Sequence, residues 1–500
     1  MWPFRRGGRH STDNAGTLVK SGQTGIGYIK EDEQQPSSTK DPTMVGTTPT
    51  PTSTSVGDSR DRSSKPEKKS FWQALGPGLV TGASDNDPSG IATYSQAGAK
   101  FGYGQLWMSL VTFPLVVGVQ EMCARIGLVT GKGLAEVIKE NYSKRLLYSV
   151  TALLLVANTI NIGADIGAMG ASLRLLVPQL PLIAATVIFT AIILVAEVLI
   201  PYSTYSKILK YLAFSLFLYM VTAILVVHDT TEWSRIISAT IVPHLETTKD
   251  FTMMIIAILG TTISPYLFFW QTAHEVEEEV NEGKIRQMGN ERIHKKPKVT
   301  KKDVKFMRID ILAGMGLAQS IFWFIIITSA STLHNHGITE IGSAEEAAKS
   351  LEPLVKGFPF AGEVTSAIFA AGIIGTGLLA VPVLAASASY AVSEGFGWKE
   401  GLYKKFLQAP KFYAVIIAST VIGLWINFSG IDPIQALVYT AVINGFVSVP
   451  LLIIIYRIAN SKKILGSKTN KKASNVLNLI TILSMVAAAI AMVVFSWVIK

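Results

Sequence analysis

Asp87 lies in the run Asp85-Asn86-Asp87-Pro88-Ser89-Gly90, inside an otherwise apolar stretch, and a second apolar stretch is interrupted at Thr261-Thr262-Ile263-Ser264-Pro265. A carboxylate, hydroxyls and backbone carbonyls freed beside a proline are the ligands of a cation. In hydrocarbon every peptide group needs a partner, so unwound backbone at membrane depth survives only against protein or a water-filled cavity. The carbonyls released there are free to bind ions. A charge near the bilayer centre is costly enough that function is its default reading. Asp87 is therefore the first candidate to hold a cation, with helix breaks at Pro88 and Pro265. Asn158, Asn161 and Asp165 follow at steps of three and four and share one helix face. They read equally as a polar pathway and as a structural cluster satisfied between helices.

These residues must be positioned by membrane-spanning helices. The chain has 500 residues, 49% hydrophobic and 16% charged, with mean hydropathy +0.38. That combination excludes a soluble globule. At roughly 20 apolar residues per span, eleven spans are expected, over 72–98, 105–128, 146–171, 181–200, 208–227, 251–272, 308–332, 363–392, 412–428, 433–456 and 475–498. Continuous apolar runs of this length predict helices, since barrel strands would alternate over about ten residues. Lys and Arg concentrate in the set of connections after the even-numbered spans, which the positive-inside bias assigns to the cytoplasm. The N-terminus is then cytoplasmic and Lys500 outside. The net charge of +10 reads as topology and attraction to anionic lipid, without a nucleic-acid partner.

Residues 1–69 are rich in Ser, Thr, Gly, Pro and charge and read as a disordered cytoplasmic tail without a signal-peptide pattern. Residues 70–456 are expected to form a membrane core of spans one to ten, and 457–500 a cytoplasmic linker with an accessory eleventh span. The single cysteine, Cys123, excludes an intrachain disulfide and a cysteine-based metal site. Spans one and six are each broken by a proline and followed by related segments, Tyr94-Ser95-Gln96-Ala97 and Trp270-Gln271-Thr272-Ala273. Five spans separate them, which predicts two inverted halves around a midplane site. The competing reading of residues 85–90 is a loop joining two short spans, but residues 91–104 are too polar to span alone. At Pro265 the competing reading is an ordinary proline kink.

Residues 76–107, GPGLVTGASDNDPSGIATYSQAGAKFGYGQLW, resemble the first span of the Nramp family of divalent-metal transporters, in which an Asp-Pro-Gly-Asn break follows a Gly-Pro-Gly entry. The resemblance continues through Gln120, Cys123 to Gly131, Leu134-Ala135-Glu136, Asp165 and the region from Gly260 to Ala273. It implies an all-helical, LeuT-like 5+5 inverted repeat that moves a divalent cation by alternating access.

The resemblance implies four metal-binding positions, and three of them depart from the family pattern. The family Asp corresponds to Asp87, the Asn to Gly90, the Met to Ser264, and the Ala that offers its carbonyl to Thr261. A thioether favours later transition metals, and a hydroxyl in its place removes that filter. With Gly90 leaving room for solvent, the remaining oxygen ligands suit a hard cation that keeps water, Mg2+ or Mn2+. This resembles the Nramp-related branch associated with magnesium. Two family histidines correspond to Tyr266 and Gln271, and a family acid after the second span to Gly133. None of these titrates near neutral pH, which predicts weak or absent proton coupling, with Asp165 and Asn161 as the remaining carrier of protons.

His334 and His336 lack a third ligand and read as a solvated loop. Glu275 and Glu277 to Glu279 read as a solvated helix end or, less simply, as an acidic vestibule. Glu121 and Glu197 lie near span ends and are expected to reach water or a neighbour. No phosphate loop, ATP-binding domain or nucleophile with its base is present, so neither an enzyme nor a primary pump is expected, and no cofactor. The partners implied are the transported ion and the lipid bilayer; the oligomeric state is open, and a monomer is compatible with the sequence. The alternatives are a proton-coupled Mn2+/Fe2+ importer, a sodium-coupled solute carrier of the same architecture, and a transporter-derived sensor acting through the tail.

Overall fold

The computed structural model describes residues 76–200, 217–227, 230–281, 283–285, 287–288, 291–292, 297–355 and 360–497. The tail expected over 1–69 lies outside them. The main helices are α1 Pro77–Asp85, α2 Pro88–Phe101, α3 Trp107–Thr130, α4 Leu134–Asn141, α5 Lys144–Leu176, α6 Leu182–Leu199, α7 Phe217–Val226, α8 Thr230–Ile241, α9 Lys249–Thr262, α10 Pro265–Asn281, α11 Lys301–Thr332, α12 Ala361–Phe396, α13 Pro410–Ile426, α14 Pro433–Ala459 and α15 Lys472–Trp497. Among the described residues, the only strands are Gln287–Met288 and Glu291–Arg292, paired antiparallel. Among the described residues, eight stretches are long and apolar enough to cross a membrane, one of them α9 and α10 together. With the shorter α7 and α13 and the pair α1–α2, they match the eleven expected spans one for one. Of the fifth span, residues 208–216 lie outside the described part.

The first and sixth spans are broken, as expected, but over only two residues each. Only Asn86-Asp87 and Ile263-Ser264 leave the helix, whereas Ser89, Gly90, Thr261 and Thr262 are helical. Proline at the first helical position explains the quick restart, because its fixed φ suits that turn and its missing N–H is not needed there. The two breaks share a backbone conformation: Asn86 has φ −93° and ψ 58°, and Ile263 φ −109° and ψ 58°.

Packing repeats the same symmetry. Span seven, α11, lies along both α1 and α2, and a side chain on Gly82 would collide with the Gly314 carbonyl. Span two, α3, lies along α10, and a side chain on Gly127 would collide with the Thr272 carbonyl. Exchanging span one with six and two with seven turns the first contact into the second, as a 5+5 repeat requires. The central scaffold is α5 against α12, α13 and α14. On the outside, α6 exposes Val195 by 55% and Leu199 by 72%, and α15 exposes Leu483 and Ile490 by 58% each. So dense an apolar surface belongs in lipid.

Candidate cation site

Asp87 is 2% exposed and caps α2. Its Oδ1 accepts hydrogen bonds from Gly90 N at 2.7 Å and Ser89 Oγ at 2.8 Å, and its Oδ2 accepts from Asn161 Nδ2 at 3.1 Å. The carboxylate thus stands at the positive end of a helix dipole and is tied to span three through Asn161.

Gly90 sits one turn into α2, and the space beside it is not the solvent room expected. A Cβ there would stand 3.3 Å from both Asp87 Oδ1 and Thr261 Oγ1 and 3.4 Å from the Asp85 carbonyl oxygen. The capped first turn draws these oxygens in, so the glycine marks the convergence of three oxygen atoms. Thr261 faces this point with its hydroxyl, 3.5 Å from Ser89 Oγ. Its carbonyl, the atom expected as a ligand, accepts from Ser264 Oγ at 2.6 Å, and that hydroxyl is also 2.9 Å from the Gly260 carbonyl. Asp87, Gly90 and Thr261 are therefore brought together, while Ser264 turns back onto α9.

The expected pathway residues line the two sides of the breaks. The Tyr266 hydroxyl donates to the Ser84 carbonyl at 2.7 Å, joining α10 to the end of α1, and Ser387 Oγ donates to the Tyr266 carbonyl at 2.8 Å. Gln271 accepts from Thr81 Oγ1 and donates to Glu275 Oε1 at 3.0 Å, bridging α1 and α10. Asp165 is fully buried, and neither of its carboxylate oxygens has a hydrogen-bond partner among the described residues. Asn158 Nδ2 donates to the Leu384 carbonyl at 2.9 Å, which anchors it to span eight.

The acidic end of span six is corrected. Glu275, Glu277 and Glu279 are buried, because α10 continues between α3, α4 and α12 where a free helix end was expected. Glu277 accepts from the Tyr390 hydroxyl and from Leu402 N, the latter at 2.8 Å. Glu121 is paired with Arg125 and Arg308, at 3.0 and 2.8 Å. Glu197 is 7% exposed, and neither of its carboxylate oxygens has a hydrogen-bond partner among the described residues. His334 and His336 hydrogen-bond through Nδ1 to the Ala99 and Thr332 carbonyls.

Three acids were missed. Asp85 is 2% exposed at the end of α1, two residues from Asp87. Asp310 of α11 accepts from Gly76 N at 2.9 Å and Gly78 N at 2.6 Å, fastening the start of α1. Glu394 of α12 accepts from Ala135 N at 2.8 Å and Glu136 N at 3.1 Å, and its carboxylate fills the volume that a side chain on Gly133 would occupy. The position that corresponds to a family acid is thus occupied by an acid from another helix. The Asp-Asn-Asp triplet could have flagged Asp85; nothing local flags Asp310 or Glu394.

Paired half-helices that meet at a buried carboxylate, within an inverted-repeat bundle of apolar helices, define a membrane transporter of the broken-helix class. A family model described as natural resistance-associated macrophage protein-like matches residues 78–495. The divalent metal cation transporter MntH of Deinococcus radiodurans is 24% identical over 81% of this chain and 85% of its own length. The MntH of Yersinia pestis is also 24% identical, over 86% of this chain and 97% of its own. A crystal structure of the Eremococcus coleocola manganese transporter superposes with a TM-score of 0.65 at 18% identity, covering 86% of this chain and 88% of that one. Mhp1, a nucleobase-cation-symport-1 family transporter, shares the fold more distantly, with a TM-score of 0.51 at 12% identity over 85% and 92% of the two chains. The chain belongs to the Nramp family.

Proposed function

We propose that this protein is a divalent metal cation transporter of the Nramp type, working by alternating access, with Asp87 holding the ion at the first break. The observation that carries this reading is the buried Asp87 carboxylate at the crossing of two broken helices, beside the Thr261 hydroxyl and the Asp85 carbonyl. The relatives named as divalent metal cation transporters support the substrate class. The N-terminus is cytoplasmic and the C-terminus outside.

The ion is a hard one, Mg2+ or Mn2+. Carboxylate, hydroxyl and carbonyl oxygens suit cations that accept oxygen ligands and retain water, and Ser264 offers no sulfur. Proton coupling is weak or absent, because Tyr266 and Gln271 do not titrate near neutral pH. A second reading, proton-coupled manganese or iron import, draws on the buried Asp165 carboxylate, which has no hydrogen-bond partner among the described residues. A sodium-coupled carrier of carboxylate-bearing solutes is disfavoured, since Asp87 would repel the substrate's charge. Manganese uptake into sodium-free proteoliposomes tests the first reading: uptake in the wild type and its loss in Asp87→Ala are expected, and uptake retained by the variant would refute it.

A further inference from the structure

We infer that Asp85 is a second carboxylate ligand of the transported cation, which is held between Asp85 and Asp87. This rests on the reading of the break as a divalent-cation site. Asp87 has three hydrogen-bond donors on its two oxygens and stands at the positive end of α2. Asp85 has the opposite surroundings. It is the last residue of α1, where the carbonyls that end the helix make its negative pole.

Asp85 is buried, and its Oδ1 has no hydrogen-bond partner among the described residues. Beside it Asn86 is 1% exposed, and neither its Nδ2 nor its Oδ1 has a partner among the described residues. No Lys, Arg or His is ion-paired with Asp85 or Asp87 among the described residues.

A buried carboxylate beside a second one, at the negative end of a helix and with one oxygen lacking a hydrogen-bond partner among the described residues, keeps its charge only at high cost unless a cation compensates it. A divalent ion between the two side chains neutralises both and takes up the oxygen that protein donors leave unused. The Asp85 carbonyl oxygen lies beside the same point that Asp87 Oδ1 and Thr261 Oγ1 approach. Two carboxylates in place of one raise the ligand charge, which strengthens binding of divalent over monovalent cations and suits hard ions.

Calorimetric titration of manganese into the purified full chain tests this, with wild type, Asp85→Asn and Asp87→Asn compared and folding checked by thermal unfolding. Asp85→Asn is expected to fold and to bind manganese about tenfold or more weakly, in keeping with affinity set by ligand charge. Wild-type affinity in Asp85→Asn overturns the inference. Wild-type affinity in Asp87→Asn, or no binding by the wild type, signals instead that the underlying site reading has failed. If Asp85→Asn does not fold, Asp85→Glu keeps the charge and moves the oxygens. A changed manganese-to-magnesium affinity ratio then supports Asp85 as a ligand, and an unchanged ratio counts against it.

Discussion

Ser264 is the residue whose replacement most directly tests ion choice. Its hydroxyl lies on the Gly260 and Thr261 carbonyls, and it occupies in the sixth span the place that Asp87 holds in the first, one residue before the proline. Ser264→Cys keeps the size and supplies a soft ligand, so cadmium uptake relative to magnesium is predicted to rise by about tenfold on the preference of soft ions for sulfur. An unchanged ratio in a competition uptake assay would mean that this side chain stays on α9 throughout transport. Gly90→Ala places a methyl 3.3 Å from Asp87 Oδ1 and Thr261 Oγ1, so its apparent KM for manganese uptake is expected to rise while the protein still folds. Asp87 was legible as a candidate in the sequence because a carboxylate beside a proline within an apolar run is costly to keep there, and it is buried at the break. Thr261 was legible as a candidate neighbour of Asp87, but which of its oxygens faces the break was not: the hydroxyl stands there, while the carbonyl accepts from Ser264 Oγ.

At the scale of elements, Glu394 and Gly133 make a coupled pair across α12 and the start of α4. Removing the carboxylate in Glu394→Ala leaves the Ala135 and Glu136 amides without it, at a cost of about 1–3 kcal/mol. Gly133→Ala forces a methyl into the Glu394 carboxylate, a similar overpacking cost of about 1–3 kcal/mol. The double variant is predicted to be less destabilised than the sum of the single ones by about 1 kcal/mol or more, as contacting residues are. Denaturation midpoints of the four proteins measure this, and simple additivity would separate the two residues. The helices themselves were legible from apolar length, and the inverted halves from proline position. The acid that fills the space at Gly133 was not, because Glu394 lies more than 250 positions away and reads locally as a charge at a span end. The burial of Glu275, Glu277 and Glu279 was hidden for the same reason: periodicity shows where a helix continues but not what packs beside its end.

For the whole molecule, the charge asymmetry of the connections predicts an orientation that labelling can test. Cys123 is buried, so single cysteines can be added without first removing it. Ser429 and Ser467 are both exposed, after the ninth and tenth spans. In intact cells Ser429→Cys should react with a membrane-impermeant maleimide and Ser467→Cys only after permeabilisation; the reverse pattern inverts the topology. Deleting residues 1–69 is expected to leave uptake unchanged, and its loss would give the tail a role beyond that of a spacer.

The most direct test of the central claim is uptake by proteoliposomes of magnesium, manganese and calcium in turn, with internal pH recorded, for wild type and Asp87→Ala. Uptake of magnesium or manganese without acidification of the lumen, lost in the variant, is the result predicted for an oxygen-lined site that does not couple protons. Manganese uptake that excludes magnesium and acidifies the lumen would contradict the roles assigned to Gly90, Ser264 and Tyr266.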